Sequence, residues 1–529
     1  MKYTLCAIGF TLCLASITAR PLHRGIEYRI ESSAAWSGKE GVSPFWLTSN
    51  RHGLLSTETS NGYLRTGLFR KTSQDSARNW RHGYGLDLAV HYNHQSTFFV
   101  QQAYYDIAWR WIQLSMGSKE RPSELKNPIL SSGGLTFGTN ARPIPQVRIE
   151  VPEYVTLPFW NEWVHLKGHF GYGIYTDNNW QADFAAPDKR YTQNTLLHSK
   201  AGFIKIGNEK KFPLYFEGGA EMGTQFGGKA YNVWYGDRAN GGMEVKQNDF
   251  EDLGHGFKDF IKAIFPFKYG GDPTDGEGYT NVTGNHLGSW HAAFTWQAKT
   301  WKIRAYYEHY FEDHSMIIDE YAWKDYVDNF GNDGIGSYIP PIIPTSYYWK
   351  DGLYGLEVEF PKNPFVTTFL YEFMSTKEQS GPIYHDHTGP ISDQISGIDN
   401  YYNHTIYTGW QHWGMGLGTP FVTSPIYNTD GVIDFKSNRV HTHHFGLCGN
   451  PTKELAYRLL LSHSKHWGTY NRPLIDTQEQ TSGMLEISYA PHCWKGWNFK
   501  GTVAWDRGKM LGDQCGGMLT ISKSGILTK

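Results

Sequence analysis

Apolar and polar residues alternate with a period of two along much of the chain. Tyr84, Leu86, Leu88, Val90 and Tyr92 form one face, with Gly85, Asp87, Ala89, His91 and Asn93 between them. Val164, Leu166, Gly168, Phe170 and Tyr172 repeat the pattern, as do Gly288, Trp290, Ala292, Phe294 and Trp296. This period predicts strands with one apolar and one polar face. Between Gln101 and Gly117 the phase changes. Ala103, Tyr105 and Ile107 share one face, and Ile112, Leu114 and Met116 another, which predicts a tight hairpin turn near Trp109–Trp111.

One segment has a helical period instead. Phe250, Leu253, Phe257, Phe260, Ile261 and Ile264 predict an amphipathic helix over 249–265. Asp249 suits its start, Glu251 and Asp252 its first turn, and Pro266 its stop. Gly254 and Gly256 each weaken it by about 1 kcal/mol. Its polar face mixes Lys258 and Lys262 with Glu251 and Asp259, whereas helices lying on lipid tend to be basic. The expectation is therefore a small helical plug in the mouth of a barrel.

Composition narrows the class. The 529 residues include 20 Trp, 34 Tyr, 29 Phe and 58 Gly, with 19 % charged residues and a formal net charge of −2. So many aromatics and so few charges exclude a disordered chain. The absence of a basic excess argues against a nucleic-acid partner. No stretch beyond the N-terminus approaches the ~20 consecutive apolar residues of a spanning helix. Alternation, glycine and aromatic content together predict an all-β protein, a transmembrane antiparallel β-barrel of the outer membrane. Trp80, Trp163, Trp301, Trp467, Trp494 and Trp505 fall near strand ends, where interfacial girdles form. Roughly 510 residues at ~10 per strand plus connections give about sixteen to eighteen strands. The longest irregular stretches, 228–283, 313–350 and 377–436, are expected as surface loops.

The N-terminus reads as a signal peptide over 1–19, with Lys2, an apolar Leu5–Ala15 and Ala19 before the cut, leaving 20–529 as a single barrel domain. Cys6 and Cys13 fall within it. Cys448, Cys493 and Cys515 remain, and one bridge with a leftover thiol fits as well as three separate thiols.

Chemistry is sparse. No nucleophile elbow, phosphate loop or HExxH sequence is present. His441, His443 and His444 read as part of a polar lumen wall, because a metal site needs a third ligand that the sequence does not identify. No metal or cofactor is expected. The run from Tyr306 to His314 puts Glu308 and Glu312 on one face and His309 and Asp313 on the other. Paired carboxylates hydrolyse glycosides only when they flank a cleft, and a polar barrel interior is the simpler reading. The loops are rich in aromatics beside polar groups, a combination that suits sugars. Tyr401, Tyr402, Trp410 and Trp413, with Asp399 and Asn403, are the expected polysaccharide-binding residues.

Several blocks resemble the Wzi-like capsule-assembly outer-membrane proteins in their Bacteroidetes form. They are Pro44–Gly53, Asn140–Gln146, Phe216–Gly219 with Gln225–Gly228, Gly284–Ser289, Tyr307–Ser315, Asp399–His404 running on to Gly418–Pro420, and Gly512–Gln514 to Gly525–Leu527. They occur in order over almost the whole chain. The resemblance implies a barrel of about eighteen strands with a helical plug at the periplasmic end. It also implies a surface lectin for capsular polysaccharide rather than an enzyme. The expected function is binding of capsular or exopolysaccharide, aiding its assembly or retention at the cell surface by a monomer in contact with outer-membrane lipid. The alternative is a diffusion channel for small solutes. A third reading is a hydrolase using Glu308, His309 and Asp313.

Overall fold

The computed structural model describes residues 25–38, 41–75, 78–237, 242–245, 250–265, 284–312, 350–385, 394–398 and 400–527. The expected leader, Asp399, Asp313 and nearly all of the 313–350 loop lie outside the described residues.

The period-two segments form eighteen long strands of one sheet. They are β1 (Glu27–Ser37), β2 (Ser60–Arg70), β3 (Trp80–Tyr92), β4 (Phe98–Trp109), β5 (Ile112–Ser118) and β6 (Gln146–Thr156). Then come β7 (Val164–Ile174), β8 (Leu196–Ile206), β9 (Leu214–Phe226), β10 (Asn285–Gln297), β11 (Lys302–Glu312) and β12 (Gly352–Glu359). The last are β13 (Thr368–Ser375), β14 (Val440–Gly449), β15 (Leu455–Gly468), β16 (Pro473–Tyr489), β17 (Trp497–Gly508) and β18 (Gln514–Ile526). Each pairs antiparallel with the next, and β1 pairs with β18, Glu27 opposite Ile526 and Ser37 opposite Gly516. The sheet closes, so no edge is left to pair with another chain.

The two faces of the wall are inverted relative to a soluble protein. Phe294 and Leu519 point outward, 56 % and 58 % exposed, whereas Asp87 and Glu308 point inward with none of their surface exposed. The apolar face of the alternation is therefore the outer one. An exposed apolar wall on a closed barrel is the surface a lipid bilayer covers, and the protein is an outer-membrane β-barrel. Among the described residues no helix is long and apolar enough to cross a membrane. Trp80, Trp109, Trp160, Trp296 and Trp494 are exposed at the rim carrying the chain ends, and Trp36, Tyr92 and Phe98 at the other.

Short turns join strands at the rim of the chain ends. Arg110–Trp111 links β4 to β5 as expected, with Trp109 opposite Ile112 and Arg110 at φ +53°. A bulge lies earlier in β4, before that phase change: Asp87 faces Gln102 while Leu88 faces Val100, so Gln101 is an extra residue. The long connections, including 38–59, 119–145, 175–195, 227–284 and 376–439, all leave the opposite rim. In outer-membrane barrels that rim is extracellular.

The helix differs from expectation. It spans only Phe257–Lys262, and Phe250–Asp252 is a strand. Asp259 accepts a hydrogen bond from the Gly256 amide at 2.9 Å, so the cap sits on the second glycine, and Gly254 takes φ +78°, which stops a helix from starting earlier. Phe260 packs on Tyr172 and Phe226, which lie on the outward face of β7 and β9, and Tyr172 donates to the Phe260 carbonyl at 2.8 Å. This helix clasps the outer wall, with Phe257 82 % exposed, and is no plug.

The lumen is filled instead by three inward-folded connections. A four-residue helix, Phe45–Thr48, is wholly buried, as are Leu130 and Leu135 of the second and Trp410, Val422 and Phe435 of the third. They form one apolar core with inward residues such as Leu287, Leu370 and Met484.

Candidate functional site

Of the expected sugar-binding aromatics, Tyr401, Tyr402 and Trp410 lie inside this core, and Trp413 in a second buried cluster with Phe99, Trp180 and Ile433. Trp410 has no exposed surface, and Tyr401, Tyr402 and Trp413 are also buried. Trp410 donates from Nε1 to the Thr136 carbonyl at 2.7 Å and packs on Phe137. It is seated against Gly223 of β9, where an added Cβ would stand 2.4 Å from the indole. Tyr402 presents its amide to Glu312 Oε1 at 2.6 Å and donates from its hydroxyl to the Leu135 carbonyl. Tyr401 packs edge-on to Tyr310 and donates to Asp351 at 3.3 Å. Trp413 donates to the Thr176 carbonyl at 2.9 Å and shares the guanidinium of Arg142 with Phe99. Asn403 exchanges hydrogen bonds with the backbone of Phe435, at 2.8 and 2.9 Å. A sugar stacks on an open ring face, and these rings are covered. The expected residues build the plug rather than a surface platform.

The polar inner wall holds the plug in place. Glu308 accepts from the Leu135 amide at 2.7 Å, and Glu372 from the Ser132 amide at 2.8 Å and the Ser131 hydroxyl at 2.6 Å. Asp506 accepts from the Phe45 amide at 2.8 Å, and Glu357 from Asn127 at 2.7 Å. Buried carboxylates thus satisfy loop amides that would otherwise be orphaned. The imidazoles of the plug are neutral. Burial pushes His412 down to about 3, its Nδ1 donating to the Arg142 carbonyl at 2.9 Å. Burial, then the Arg190 charge, pushes His404 down to about 3, and its Nδ1 accepts from the amides of Ile406 and Tyr407. Burial also lowers Arg142, to about 9. A small recess remains beside Trp46, Arg51, Lys126 and Arg458.

Above the plug, at the loop rim, three short segments pair into a small antiparallel sheet: Tyr191–Gln193, Lys229–Tyr231 and Phe250–Asp252. Alternation gives it two faces. Thr192 and Ala230 are buried, and Gln181 Oε1 takes both the amide and the hydroxyl of Thr192 at 3.1 Å. The other face carries two rows. Tyr191, Tyr231 and Phe250 lie side by side, the two tyrosine rings 4.6 Å apart and 4° from parallel. Gln193, Lys229 and Asp252 form the second row, with the Lys229 ammonium 4.1 Å from the centre of the Phe250 ring. Phe250 and Asp252 are exposed, and both tyrosines half-buried. An apolar row beside a donor and acceptor row suits a sugar ring, which has an apolar face and hydroxyl edges. Sequence reading missed this face because its three strands come from two distant loops. The signal it leaves is a tyrosine at the matching place in Tyr191-Thr192-Gln193 and Lys229-Ala230-Tyr231.

The remaining candidates separate. Glu308 faces the lumen and His309 the outside, so the two stand on opposite sides of the wall. Glu312, inward like Glu308, accepts from Tyr310 at 2.8 Å and from the Tyr402 amide. Of the three histidines, only His444 faces the lumen, bonded to Ser462 and to the Leu130 carbonyl. His441 and His443 sit on the outer wall, against Trp467 and Tyr371, because strand alternation separates them from His444. Cys448, Cys493 and Cys515 are free thiols.

No family model and no curated protein matches the sequence. Solved structures do match by fold. Wzi of Escherichia coli, described as a carbohydrate-binding β-barrel involved in group 1 capsule assembly, aligns with a TM-score of 0.50 at 11 % identity, over 95 % of this chain and 84 % of Wzi. OprD of Pseudomonas aeruginosa aligns with a TM-score of 0.44 at 9 % identity, over 96 % of this chain and 94 % of OprD. OpdQ of the same organism aligns at 0.43 and 9 % identity, over 95 % and 97 %. The likeness to Wzi is one of barrel fold.

Proposed function

We propose that the chain is a Wzi-like protein that binds an extracellular polysaccharide at the loop rim and helps retain or assemble it at the cell surface. The observation that carries this reading is the two-row face of Tyr191, Tyr231 and Phe250 beside Gln193, Lys229 and Asp252, standing outside a lumen filled by other loops. The fold likeness to a carbohydrate-binding barrel supports it. Each sugar contact is weak, and a repeating polymer held by many copies of the barrel gains strength by avidity. We read the protein as a non-catalytic monomer, since Glu308 and Glu312 bind loop amides instead of flanking a cleft. The test is gene deletion followed by the ratio of cell-bound to released polysaccharide. The reading expects polymer to be made but shed, and retention to return with the wild-type gene but not with a Tyr191→Ala, Tyr231→Ala double variant. An unchanged ratio after deletion, with reduced uptake of a small solute, contradicts it.

A further inference from the structure

One cluster on the inner wall touches the plug only through Glu308 and takes no part in the loop face. Glu221 of β9, His291 of β10 and Glu308 of β11 lie on three adjacent strands and all point inward. Their side chains are 3 %, 1 % and 0 % exposed. His291 Nε2 stands 3.5 Å from Glu221 Oε1 and 3.9 Å from Glu308 Oε1, and one ligand atom from each lies within 4.8 Å of the others.

The hydrogen bonding is uneven. Glu308 is held firmly: Lys126 Nζ lies 2.8 Å from Oε2, and Ser289 and the Leu135 amide donate to Oε1 at 2.9 and 2.7 Å. Among the described residues, neither ring nitrogen of His291 nor Glu221 Oε1 has a hydrogen-bond partner. An orphaned buried polar group is destabilising, and His291 Nε2 faces Glu221 Oε1 and Glu308 Oε1 closely enough for the three to share a partner. The cluster offers one imidazole and two carboxyl groups, the donor types a transition-metal ion takes.

We propose that Glu221, His291 and Glu308 bind a divalent transition-metal ion, with zinc as the ion their imidazole and carboxylate donors fit best. A tetrahedral zinc ion with bonds of ~2.0–2.1 Å sets its ligand atoms about 3.3 Å apart. The two His291–carboxylate separations, 3.5 and 3.9 Å, are slightly wider and the third lies within 4.8 Å, so closure needs the two carboxylates to draw together. Ser289, Lys126 and the Leu135 amide act as the outer partners that orient Glu308. Leu135 belongs to the plug, so the ion ties three wall strands to the 119–145 connection.

The test uses the untagged full-length barrel in detergent, loaded with zinc chloride, dialysed and analysed for bound metal. The expected result is about one equivalent of zinc per chain. His291→Gln and Glu221→Gln should each abolish that binding, and Ser289→Ala should weaken it by about tenfold or more. Barrel folding in every variant is checked by heat-modifiable gel migration. A second readout is protease sensitivity of the 119–145 connection, which EDTA should raise in the wild type and leave unchanged in His291→Gln. Wild-type protein that retains no zinc after loading overturns the proposal, as does a folded His291→Gln variant that keeps its zinc.

Discussion

Two groups of aromatic side chains in the loop half of the molecule meet opposite fates. Tyr401, Tyr402, Trp410 and Trp413 are buried in the lumen, whereas Tyr191, Tyr231 and Phe250 line an outer face of the small loop sheet. Both groups stand beside polar residues, so composition does not separate them. The surrounding backbone does. The 400–438 connection places its amides and indoles against partners within the barrel, such as Glu312 and the Thr136 carbonyl, and its rings follow inward. The loop sheet pairs its three strands with one another, and its outer rows stay partly open, with Phe250 and Asp252 exposed and both tyrosines half-buried. A ring therefore packs or binds according to where its neighbours' hydrogen bonds lead.

The strongest way to break this comparison is Trp410→Ala. Removing a fully buried indole should destabilise the plug by about 3–5 kcal/mol, measured by denaturant titration of plug protection from protease. If Trp410 instead bound polymer, stability would hold and only binding would fall. Glu372→Leu comes next. It strands the Ser132 amide and the Ser131 and Tyr306 hydroxyls, and should cost about 1–3 kcal/mol per orphaned group in the same assay.

Acid sharpens the contrast. His412 is held near 3 in the folded plug, below its ordinary value, so above about pH 6.5 it is neutral whether folded or not. As pH falls from there towards 3, the unfolded plug takes up a proton that the folded plug refuses, and stability is lost. At pH 5.5 His412 alone should contribute a loss of about 1.4 kcal/mol relative to pH 7.5, with His404 adding to it. Plug protection should fall with pH in the wild type and less steeply in His412→Gln. The smallest effect belongs to the outer face. Tyr231→Ala should leave plug protection within about 0.5 kcal/mol and weaken polysaccharide binding by about 0.5–1.5 kcal/mol in a retention assay.

The barrel was legible because its signal is local. Alternation in Tyr84–Asn93 and Gly288–Gln297 needs no distant partner, and the Trp109–Trp111 turn follows from the change of phase. The helix was legible in kind but not in length or place: a periodic pattern does not register that Asp259 caps at Gly256, or that Phe260 meets Tyr172 outside the wall. The candidate site was the least legible part. Tyr191 meets Tyr231 across connections 40 positions apart, and Trp410 fits because Gly223, on a strand far away in sequence, has no side chain. Such pairings depend on how loops enter a closed barrel, and no window of residues contains them.

Single-channel conductance of the purified protein in a planar bilayer tests most directly the claim that loops fill the lumen and leave the rim for binding. The account predicts near-zero, unsteady current for the wild type and a marked rise for Trp410→Ala. A large, steady wild-type conductance would contradict it and make the protein a diffusion channel.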